Sequence, residues 1–114
     1  MGYELHQALN DTMAQAFSCN ESARRKGLAL ATANARLRAL RAQEELKLKR
    51  QGMPVTLIHD AVYASDEVNH AAMLAEVAQS DYDTEREAVL LHKREADILR
   101  EQIAREWSQA GSVV

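Results

Sequence analysis

Proline occurs once in 114 residues, glycine four times and cysteine once, and aromatic side chains make up 4% of the chain. With so little proline and glycine, and with 46% hydrophobic and 27% charged residues, the chain is neither a collagen-like or low-complexity polymer nor a disordered tail. A lone thiol, Cys19, excludes an intrachain disulfide and a four-cysteine zinc module. The expected compartment is the reducing cytosol. No apolar run approaches the ~20 residues that cross a bilayer. The opening Met1–Asp11 lacks the basic-then-apolar pattern of a signal peptide, and His6 stands where a myristoylation motif wants Ser or Thr. Scarce aromatics leave few platforms for stacking single-stranded bases. Phosphate loops, dinucleotide fingerprints and hydrolase elbows are missing from the sequence, so the expectation is a protein without cofactor or catalysis.

What is present is charge, unevenly placed. The formal net charge is −3, but residues 1–52 hold nine Lys/Arg against five Asp/Glu, and residues 53–114 hold five against twelve. The cations fall into three groups: Arg24, Arg25, Lys26; Arg36, Arg38, Arg41; and Lys47, Lys49, Arg50. Between the halves lies Gly52-Met53-Pro54. Proline forbids an unbroken helix there, Gly52 suits a left-handed cap, and Lys47, Lys49 and Arg50 suit the negative end of a helix dipole. Val55–Tyr63 is long enough for a short helix, and Ser65-Asp66-Glu67 supplies a cap and N-terminal acids for another.

Both flanking segments carry a seven-residue stripe. In the second, Val68, Ala75, Tyr82, Val89, Ala96 and Ile103 recur at that step, with companions Ala71, Ala78, Glu85, His92, Leu99 and Glu106 three residues later. In the first, the series is Leu9, Ala16, Ala23, Leu30 and Leu37, flanked by Leu5, Ala33 and Leu40 and interrupted at Glu44. Ser18–Ser22 is poor in helix formers, but the phase passes through it, which predicts one continuous helix. Gly27, costly inside a helix, marks a place where a neighbouring helix comes close. The terminal Gly111–Val114 reads as a frayed end.

The expected fold is therefore all-α: one helical domain, residues 1–114, with a long helix about 3–51, an elbow 52–65 and a long helix about 66–109 folded back as an antiparallel hairpin. At 1.5 Å per residue the rods are roughly 70 and 65 Å long, so they match. Folding about the middle of the elbow brings residue i near 118 minus i, setting Arg36 and Arg38 beside Asp83 and Asp81. Leu28, Leu46, Leu48, Leu90, Leu91 and Ile98 lie off the seam. Wet leucines forfeit burial energy at about 25 cal/mol per Å², so self-association into a dimer or higher helical bundle is expected.

Several residue sets invite chemistry. Glu67-Val-Asn-His70 has the spacing of a helical di-metal ligand pair, but it stands alone and reads better as first-turn polarity. Glu85 and His92 are one heptad, about 10.5 Å, apart, too far for a direct hydrogen bond. His59-Asp60 lacks a nucleophile. Arg24, Arg25, Lys26, Arg36, Arg38 and Arg41 form the candidate set for a phosphate backbone, opposed by the acidic second half. Val55–Tyr63 contains no Arg or Lys, which argues against a groove-reading helix-turn-helix. The residues offered to a protein partner are Met53, Leu57, Ile58 and Tyr63.

The run KLKRQGMPVTLIHDAVYASDEV, the central Tyr82 and the close Arg105-Glu106-Trp107 resemble small helical proteins encoded in phages and prophages of Gram-positive bacteria, over roughly Ala23 to Trp107. Such genes often neighbour recombination and single-strand-binding genes. The resemblance implies a non-enzymatic interaction or scaffold protein accessory to phage DNA metabolism, with a phage or host protein as partner. It supplies no catalytic, ligand or metal residue.

Overall fold

A computed structural model describes residues 2–112. Its elements are α1 (Gly2–Arg50), α2 (Val55–Val62) and α3 (Asp66–Ser112). The architecture is the expected all-α one, two long antiparallel helices joined by a short helical elbow. Ser18–Ser22 is helical, so α1 is continuous, and α3 runs on through Ser112. Of the end expected to fray, Gly111–Val114, Gly111 and Ser112 are helical, and Val113 and Val114 lie outside the described residues.

The helix stops where its chemistry ends it. Gly52 has φ of 83°; its N–H donates to the Lys49 carbonyl at 3.0 Å and the Met53 N–H to the Leu48 carbonyl at 3.1 Å. These are the two bonds of a Schellman cap, and the residue after the glycine packs against the cluster containing Leu48, the contact that accompanies such a cap. Pro54 then stands as N-cap of α2, with the Leu57 N–H donating to its carbonyl at 3.0 Å. At the start of α3 the Ser65 carbonyl accepts from the Asn69 N–H at 2.9 Å, and Asp66 and Glu67 occupy the first turn.

The described residues form two compact units. One comprises residues 25–82 and contains the end of α1, all of α2 and the start of α3. Here Leu48, Ile58, Val62 and Val68 form a buried cluster, with Leu37, Leu40, Met53 and Ala61 packed on it. Because Leu37 and Leu40 belong to this set, α2 lies back along α1. Tyr63, just past α2, accepts the Arg41 guanidinium over its ring at 5.4 Å, two and a half turns before α1 ends. The other unit comprises residues up to 24 and from 83 onward; its buried residues are small, namely Thr12, Ala23, Val89 and Ala96.

In both units the inward residues of α3 follow unbroken heptads. Val68, Ala71, Ala75, Ala78 and Tyr82 do so in the first, and Glu85, Val89, His92, Ala96, Leu99, Ile103 and Glu106 in the second; all are buried or half-buried. On α1 the series Leu9, Ala16, Ala23, Leu30, Leu37 is also inward, and Glu44 continues it half-buried instead of ending it. Its companions change side, however. Leu5, Thr12 and Cys19 give way to Gly27, Asn34, Arg41 and Leu48, so two successive four-residue steps fall at Ala23. That is the eleven-residue spacing of a stutter, from Ala16 to Gly27.

The pairing of the long helices differs from the one expected of a chain folded about its middle. Gly27 meets Tyr82 rather than Leu91, and the Arg100 guanidinium reaches the Met13 sulfur at 3.6 Å, where Arg105 was expected opposite. The reason is the elbow: since α2 doubles back, Tyr63, three residues before α3 begins, already lies on Arg41 and not beyond Arg50.

Candidate functional site

The elbow does not expose all the residues the sequence offers to a partner. Ile58 is 5% exposed, a core residue, and Met53 is half-buried on the same cluster. Leu57 and Tyr63 are exposed, joined by Val55, which is 75% exposed. Tyr63 already has two neighbours, the Arg41 guanidinium and the His59 ring, whose centroid is 6.2 Å away edge-on. The outward apolar part of α2 is thus Val55 and Leu57 on a helix of eight residues.

The expected cationic set also divides. Arg41 is half-buried, and its Nε is buried without a hydrogen-bond partner, its charge lying over Tyr63. Arg24 pairs with Glu21 on its own helix at 3.4 Å. Arg25, Lys26, Arg36 and Arg38 are exposed. Arg36 and Arg38 hold no ion pair with a described residue, so the expected pairing of Arg38 with Asp81 is not formed. Arg100 pairs with Asp97 at 3.1 Å and Arg105 with Glu101 at 3.9 Å, each joining residues three or four apart on one helix.

The polar seam residues behave likewise. His92 is half-buried with Nδ1 3.4 Å from Glu95 on its own helix, not beside Glu85. Glu67 and His70 are exposed, and among the described residues no three His, Cys, Asp or Glu side chains come together to hold a metal ion. Among the described residues no helix is long and apolar enough to cross a membrane.

The feature that sequence reading missed lies on the outside of α1. Leu28, Ala31, Ala35, Ala39, Ala42 and Leu46 are all exposed, Leu28 at 62% and Leu46 at 49%, and their steps of three and four residues put them on one face. This row lies away from the inward residues Leu30, Asn34, Leu37, Arg41 and Leu48. Between Arg25 and Arg50 every exposed charged side chain of α1 is a cation: Arg25, Lys26, Arg36, Arg38, Lys47, Lys49 and Arg50. The two acids of that stretch, Glu44 and Glu45, are half-buried. The signal was in the sequence, as a second row of three- and four-residue steps offset from the first, but alanine is too weakly apolar for composition alone to distinguish a row from filler. Neither protein-family models, nor characterised proteins, nor solved structures give a match to this chain.

Proposed function

We propose that this is a non-enzymatic helical scaffold that works by lateral contact along the outer face of α1, in a phage or prophage setting and accessory to DNA metabolism. One observation carries the reading: the exposed row Leu28, Ala31, Ala35, Ala39, Ala42, Leu46 has coiled-coil spacing and an all-cationic rim. Alanines let a second helix approach closely, leucines at both ends supply apolar area, and the rim selects an acidic partner. The likeness of the Gly52–Ile58 elbow to phage-encoded helical proteins supports the setting.

The test is affinity capture from nuclease-treated lysate of a Gram-positive host, using the wild-type chain and the double variant Ala35→Glu, Ala39→Glu as baits. Proteins retained by the wild type and lost by the variant are the expected result. Equal recovery on both baits removes the α1 face as the working surface.

A second reading, contact of the same helix with a phosphate backbone, draws on the exposure of Arg25, Lys26, Arg36 and Arg38 without ion pairs. It implies binding to labelled single- or double-stranded DNA that falls steeply, by about 10²-fold or more, between about 50 and 200 mM salt. No binding at the lower salt excludes it.

A further inference from the structure

The unit of residues 25–82 has a charge division finer than that of the sequence halves. Its α1 segment exposes cations only; its α3 segment, Asp66–Tyr82, contains no Lys or Arg and exposes Asp66, Glu67, Glu76 and Asp81. That α3 segment also has an outward apolar row, Met73, Leu74 and Val77, exposed at 54%, 43% and 53%. Glu76 and Asp81 border it, and it lies away from the inward Val68, Ala71, Ala75 and Ala78.

We infer that the occupant of the α1 row is the Met73-Leu74-Val77 face of a second copy of this chain. The inference rests on the reading of α1 as the working surface and names its partner. Three contacts between copies are available to these rows. Packing α1 on α1 sets cationic rim against cationic rim, and α3 on α3 sets anionic against anionic; only α1 on α3 brings opposite signs together. Size agrees with charge, since the alanines of α1 leave a shallow track and Met73, Leu74 and Val77 are the bulky side chains to fill it. Each row lies on the side of its helix away from the other, so a copy meets one neighbour through α1 and a different neighbour through α3. The contact is heterologous, and it propagates head to tail.

Two variants separate this from a twofold dimer and from a monomer. Ala35→Glu with Ala39→Glu disables the α1 row; Met73→Glu with Val77→Glu disables the α3 row; all four positions are exposed. Sedimentation velocity on the full chain is expected to show wild-type self-association that weakens as salt rises from about 0.05 to 0.5 M. Each variant alone is expected to lose at least about tenfold in association, as charges buried in an apolar contact do. An equimolar mixture retains one intact face of each kind and is expected to form a one-to-one dimer and nothing larger. A wild type that stays monomeric up to about 200 µM, a concentration at which a contact with a Kd of about 1 µM is almost wholly formed, overturns the inference. So does self-association that survives in either variant, or a mixture that fails to pair although circular dichroism shows both variants folded. If a variant does not fold, the concentration and salt series on the wild type alone still decides against a monomer. Monomeric wild type together with face-dependent capture of another protein refutes the second copy and leaves the scaffold reading standing.

Discussion

Two glycines show how one residue type serves opposite purposes. Gly52 is a cap: its φ of 83° is a backbone region that side chains rarely adopt. Gly52→Ala is expected to destabilise the protein by about 1–2 kcal/mol, the cost of a left-handed non-glycine residue, read as a lower urea midpoint at unchanged slope. Gly27 is helical and needs no unusual φ; there the constraint is room. A Cβ at Gly27 would stand 3.3 Å from the Tyr82 ring edge, close enough that the ring has to shift. Alanine otherwise gains about 1 kcal/mol over glycine inside a helix. In a Tyr82→Ala background Gly27→Ala is therefore expected to stabilise by about that amount, and by less when Tyr82 is present. A double-mutant cycle with no coupling would show that the helices are not in close approach there. The presence of both glycines was legible in the sequence and so were their roles, but not that Tyr82 is the neighbour of Gly27, because the pairing register depends on the elbow.

The elbow is the element on which the rest of the unit depends. α2 has strong one-sided apolarity over eight residues, and it buries Ile58 and Val62 against Leu48 and Val68. Reading Val55–Tyr63 as a short helix needs only proline, glycine and capping chemistry. Which of its apolar residues point outward depends on the direction in which it folds, and that is set by Leu37, Leu40 and Leu48 on α1. Ile58→Ala is expected to cost roughly 2–5 kcal/mol, as a truncated core isoleucine does. Leu57→Ala, one residue earlier and 56% exposed, is expected to stay within about 0.5 kcal/mol. Thermal or urea unfolding of the pair distinguishes an element packed on α1 from one held out to solvent, which would give two small and similar losses. The heptads of α3 are fully legible because their inward positions begin with Val68, Ala71 and Ala75. Those of α1 are not, since Thr12, Asn34, Arg41 and Glu44 occupy inward positions and hide the change of phase at Ala23.

At the scale of the molecule, each compact unit has its own kind of interior. Residues 25–82 bury Leu48, Ile58, Val62 and Val68 together, whereas the unit containing residues 2–24 and 83–112 buries Thr12, Ala23, Val89 and Ala96. Amide exchange under native conditions is expected to be slower across residues 37–48 and 58–75 than across residues 5–20 and 89–106; equal protection would show that branched side chains in the core contribute no more than small ones. Many large apolar residues stay outside, among them Leu28, Leu46, Leu90, Leu91 and Ile98, while Leu48, grouped with them by sequence, is covered by α2. Sequence by itself determined the two long helices, the point where the first ends, their antiparallel return and the excess of cations in one and anions in the other, because these follow from backbone chemistry, local periodicity and counting. Tertiary structure alone decided the register of the return, the burial of Ile58 and Arg41, and which charges remain outward and without salt-bridge partners. Those outcomes depend on how far α2 folds back along α1, and that distance is fixed by contacts between residues remote in the chain.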